Sequence, residues 1–144
     1  LKGEGMTAKQ YLKQTYMLDK LIKSNCEELN QLKELSTSIS GIDYSKDKVS
    51  SGNVAGDAGF TNILCKIVDL EAKIQNQVDK LIALKEEIRE KIDKIQSTNE
   101  KLLLRLKYIN FYTWEQICDE MELSIRTIHR IHSAALINLQ KFLM

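Results

Sequence analysis

The sequence predicts an all-α protein, a long coiled-coil-like antiparallel helical hairpin followed by a small helix-turn-helix domain. Three observations predict it. The 144 residues include no proline, so no missing N–H or ring clash forbids a long helix. Apolar residues recur at spacings of three, four and seven over two long stretches, which places them on one helical face. The last third carries helix-start residues at Ser97, Thr113 and Ser124, as close together as short packed helices require.

The first helix is expected to begin at Thr7-Ala8-Lys9-Gln10. A Thr hydroxyl there can cap a free backbone N–H while the Gln three residues on reaches back to the cap. Its stripe runs through Leu12, Leu18, Ile22, Leu29, Leu32 and Ile39. Residues 1–5 precede the first methionine, Met6; they are read as an expression remnant and left out of the fold. From Ser40 to Gly59 the composition shifts to Ser, Gly, Asp, Asn and Lys with four glycines, which predicts a flexible connection over 40–59.

Phe60 to Ser97 is the most periodic stretch, with Ile67, Ile74, Leu81, Ile88 and Ile95 seven residues apart. At about 1.5 Å per residue such a helix is roughly 55–60 Å long, too long to satisfy its own apolar face. It needs a partner, and the first helix can fold back on it as an αα-hairpin over 6–97. The same seam could serve a second copy of the chain, so a homo-oligomer, dimer or higher, is expected. Packing accounts for these five residues, and no chemical role is read into them.

Composition bounds the function. An apolar fraction of 43% with 28% charged residues is an ordinary globular balance. A formal net charge of +1 exerts no global pull on nucleic acid or membrane, so any electrostatic footprint is local. Cys26, Cys65 and Cys118 are widely spaced with no Cys-x-x-Cys, which argues against a disulfide framework or zinc site and for reduced, mostly packed thiols. No apolar run reaches the roughly 18 residues that span a bilayer, so no membrane association is expected. No phosphate loop, nucleophile–base set or paired-carboxylate context stands out, so neither enzyme activity nor a cofactor is expected. His129 and His132 are three apart, but two ligands do not make a metal site.

The chemistry concentrates in 98–144. Glu115 to Glu122 holds four acids and no base, whereas Ser124 to Met144 holds Arg126, Arg130 and Lys141, joined by His129 and His132, and no acid. Leu103, Leu106, Ile117, Met121, Ile128, Ile131, Ala135 and Leu139 supply the inward positions at helical spacing. Trp114 reads as a packing residue. The outward positions of a recognition helix over 124–141 are Ser124, Arg126, Thr127, His129, Arg130 and Ser133. Arginine can clamp a guanine edge or a phosphate, and hydroxyls at a helix start can take phosphate. The expected ligand is double-stranded DNA, with this helix in the major groove.

Leu104-Arg105-Leu106, Thr113 to Ile117, Met121, Leu123-Ser124, Ile128 to Ile131, Ala135-Leu136 and Leu139 resemble region 4 of bacterial sigma factors, which reads the upstream promoter element. The Met6 to Leu12 opening and the Ile67 to Glu71 segment make the whole layout similar to a family of small phage and prophage proteins of Gram-positive bacteria. That resemblance implies sequence-specific regulation of phage transcription in the cytoplasm of a bacterial host, with RNA polymerase a further partner. The chain departs from the sigma pattern at Glu122, a turn position often held by glycine, and at Ile125, often polar or basic. The competing expectation is a coiled-coil assembly protein whose sigma-like C-terminal domain binds protein, RNA polymerase for example, rather than DNA.

Overall fold

The computed structural model describes residues 6–45 and 50–143. Among the described residues every regular element is helical: α1 (Ala8–Ser45), α2 (Ser50–Asp93), α3 (Thr98–Tyr108), α4 (Trp114–Met121) and α5 (Ile125–Gln140). The all-α expectation therefore holds. None of these helices is long and apolar enough to cross a membrane.

Local chemistry explains where the helices start. At α1 the Thr7 hydroxyl accepts from the Gln10 N–H at 3.2 Å and the Gln10 amide oxygen accepts from the Thr7 N–H at 3.0 Å, the expected capping box. Thr113 and Gln116 repeat it at α4 with bonds of 3.2 and 2.9 Å. Ser97 caps α3 through the Glu100 N–H, and Ser124 caps α5 through the Thr127 N–H. Helix continues through Ser45 and resumes at Ser50. Helix thus enters the connection expected over 40–59 from both sides, and residues 46–49, like residues 1–5, lie outside the described residues.

The chain divides into two compact units, Lys20–Asp79 and Leu1–Asp19 with Lys80–Met144. In the first, α1 and α2 run antiparallel, since later residues of α1 meet earlier ones of α2. The Asn25 amide donates to the Gln77 amide oxygen at 2.8 Å, and Lys33 pairs with Glu71 at 3.3 Å. Ile22 and Ile67 are buried here and Ile74 is half-buried. Leu21, Leu35, Leu64 and Val68 stay exposed.

The second unit is built around the three short helices but is not limited to them. Its core joins Leu103, Leu104, Leu106, Ile117, Ile128, Ala135 and Leu139 to Ile88, Ile92 and Ile95 of the α2 end and to Ala8, Tyr11 and Leu12 of the α1 start. This division cuts α1 and α2 rather than falling at the 97/98 boundary expected from sequence. Two polar contacts fix the α1 start. The Thr15 hydroxyl, fully buried, bonds the Tyr108 carbonyl at 2.9 Å, and the Ala8 N–H donates to the Gln140 side chain at 2.7 Å. The heptad residues Ile88 and Ile95 are thereby spent inside the chain, with Leu81 half-buried.

Candidate nucleic-acid interface

The helix-turn-helix is made by α4, a tight turn and α5, with α3 packed against both. Glu122 ends α4 in the left-handed region at φ 55°, ψ 44°. With it the Leu123 N–H reaches back to the Cys118 carbonyl at 3.1 Å, the Schellman closure that glycine usually serves. A second left-handed residue, Phe111 at φ 60°, turns the α3–α4 loop so that the Tyr112 N–H meets the Leu106 carbonyl at 2.9 Å. The Phe111 ring lies edge-on to Tyr16 and under the Lys85 ammonium, 4.5 Å from its centroid.

All eight residues expected as the helix-turn-helix interior point inward. Leu103, Leu106, Ile117, Ile128, Ala135 and Leu139 are buried, and Met121 and Ile131 are half-buried against the same core. Asn138 donates to Glu100 at 2.7 Å, tying α5 to α3.

The six residues expected to face a ligand lie on the other side of α5. Ser124, Arg126, His129, Arg130 and Ser133 are exposed and Thr127 is half-buried. Arg126, Arg130 and Ser133 follow one another at spacings of four and three and so share a face. The Ser124 hydroxyl is already engaged, accepting from the Thr127 N–H at 3.3 Å and bonding the Thr127 hydroxyl at 3.1 Å. Its first role is the cap. Ile137, four residues after Ser133, continues that face and is 66% exposed, and Ile125 at the start of α5 is exposed as well.

His132 leaves the basic set. Sequence sorts it with the bases of this helix, but its ring is buried and bonds the Tyr108 hydroxyl at 2.8 Å. Burial, together with the charges of Lys9, His129 and Lys107, lowers its pKa to about 4, so near neutrality the ring is uncharged and shares a hydrogen bond with the Tyr108 hydroxyl. Burial likewise pushes Tyr108 up to about 12. Trp114 packs as expected, its ring centroid 4.8 Å from His129 and 5.0 Å from His132. The Lys107 ammonium sits 4.4 Å from the same ring. Among the described residues no group of three His, Cys, Asp or Glu side chains could hold a metal ion. Cys26 and Cys118 are half-buried, whereas Cys65 is exposed rather than packed.

Two features of this site escape the sequence pattern. Lys9 and Lys13 lie on the first helix, far from α5 in the chain, yet they line a cavity with Lys107, Trp114 and His129. Thr15 looks like a surface residue in a periodic stripe, yet it is the polar tie between α1 and α3. No local signal marks either, because both depend on where α1 docks.

A family model described as "Protein of unknown function (DUF1492)" matches residues 37–140. The matched span takes in α2 through α5 and leaves out Ala8, Tyr11, Leu12 and Thr15. No curated protein and no solved structure matches the chain.

Proposed function

The chain belongs to the DUF1492 family, and we propose that it binds double-stranded DNA sequence-specifically through the exposed face of α5, as a transcription regulator of phage or prophage genes in the bacterial cytoplasm. The observation that carries this reading is the placement of Arg126, Arg130 and Ser133 together on the solvent face of a helix held by α3 and α4. A major groove admits such a helix, and arginines at this spacing reach base edges or flanking phosphates. The reading assigns the chain no catalytic step.

Two arginines are a small electrostatic footprint, and one copy binds DNA weakly on this account. A homo-oligomer raises the effective concentration of the second reading helix. The heptad residues at Ile88 and Ile95 are buried within the chain, and the faces left for a second copy include those of Leu64 and Val68 on α2 and of Leu21 and Leu35 on α1. A nuclease footprint on DNA adjoining the gene tests this reading. The expected result is a protected inverted repeat with half-sites whole helical turns apart; uniform cleavage at low salt contradicts it.

A second reading has its own support. Ile137 is the most exposed large apolar residue of α5, and the four acids Glu115, Asp119, Glu120 and Glu122 are exposed on and after α4. An exposed apolar residue together with an acidic helix suits a protein partner such as RNA polymerase. Ile137→Ser separates the two, abolishing partner capture in this reading and leaving duplex affinity nearly unchanged in the first.

A further inference from the structure

Beside the exposed face of α5 lies a cavity of about 360 Å³ whose wall includes Lys9, Lys13, Lys107 and Trp114. That volume falls at the lower end of small-ligand pockets, larger than a packing crevice. Among the described residues no acid lines this cavity. Three lysines therefore line one concavity with no counter-charge among the described residues of its wall. Lys107 is half-buried, and the Trp114 face is its contact there; burial lowers its pKa. Gathering like charges costs energy that an opposite charge would offset.

We infer that Lys9, Lys13 and Lys107 form a binding site for a phosphate-bearing anion beside Trp114. Ammonium groups act as point charges on phosphate oxygens, and a multiply charged oxyanion balances all three at once. Lys9 and Lys13 are four apart on α1 and so present their charges to one side, while Lys107 approaches from α3. The inference does not rest on duplex binding by Arg126 and Arg130.

Trp114 is the only tryptophan and reports on the cavity directly. The test is a fluorescence titration of the full chain with inorganic pyrophosphate, ionic strength being held constant with chloride. A saturable change is expected, with affinity about tenfold weaker in Lys9→Gln and in Lys13→Gln, both exposed residues, and unchanged in Lys80→Gln, an exposed lysine outside the cavity. A trace identical to the chloride control overturns the inference, as does a Lys9→Gln/Lys13→Gln variant that binds pyrophosphate like the parent. Adding a short duplex to the pyrophosphate complex identifies the source of the phosphate. Displacement assigns the site to a DNA backbone, and coexistence assigns it to a free phosphorylated ligand; either result upholds a phosphate site. Because the pyrophosphate arm contains no DNA, its outcome is independent of the footprint.

Discussion

The Tyr108 hydroxyl and Nε2 of His132 meet at 2.8 Å, with their rings 5.9 Å apart and nearly parallel, and this pair links α3 to α5 on the buried side of the helix-turn-helix. It makes the unit sensitive to acid. His132 titrates near 6.5 when unfolded and near 4 when folded, so between those values the unfolded chain binds more protons. The stabilisation is complete above pH 6.5 and is lost as pH falls toward 4. Urea unfolding at pH 7 and pH 4.5 should show His132→Gln losing about 2 kcal/mol less on acidification than the parent.

Leu12 is fully buried in the same core as α3 and α5 although it belongs to α1. Leu12→Ala should cost about 2–5 kcal/mol, the range for a buried leucine truncation. Trp114 fluorescence in urea should follow that loss. An unshifted Trp114 transition would mean that the α1 start is not part of the unit.

Glu122 holds a left-handed backbone conformation at the turn between α4 and α5. A side chain there costs about 1 kcal/mol or more, part of which glycine gives back by loosening the unfolded chain. Glu122→Gly should raise stability by about 0.5–1 kcal/mol in chemical denaturation. Removing the neighbouring cap acts the other way: Thr113→Ala should lower stability by about 1 kcal/mol.

Most of the local architecture is legible in the sequence because it is set by local chemistry. Thr7, Thr113 and Ser124 announce helix starts through hydroxyls that need only a partner three residues away. The eight inward residues follow from helical period. What the sequence does not reveal depends on long-range docking. Tyr11 and Leu12 fit a hairpin seam as well as a helix-turn-helix core, and only the fold shows the second. His132 counts as a base by composition, while burial against Tyr108 makes it part of the interior. The glycine-bearing stretch after Ser40 suggests irregular backbone, but each glycine costs a helix only about 1 kcal/mol, and with no proline nothing forbids the helical bonds.

The central claim is that the α5 face binds duplex DNA, and a salt titration of binding tests it most directly. Fluorescence anisotropy of a labelled duplex from the gene's own locus is measured from low to physiological salt with the parent and with Arg126→Ala/Arg130→Ala. The account predicts tight binding at low salt that weakens as salt rises, with a log–log slope shallower by roughly 1.8 in the variant if both arginines neutralise phosphates. No binding at low salt, or a variant with the parent's affinity and slope, contradicts it.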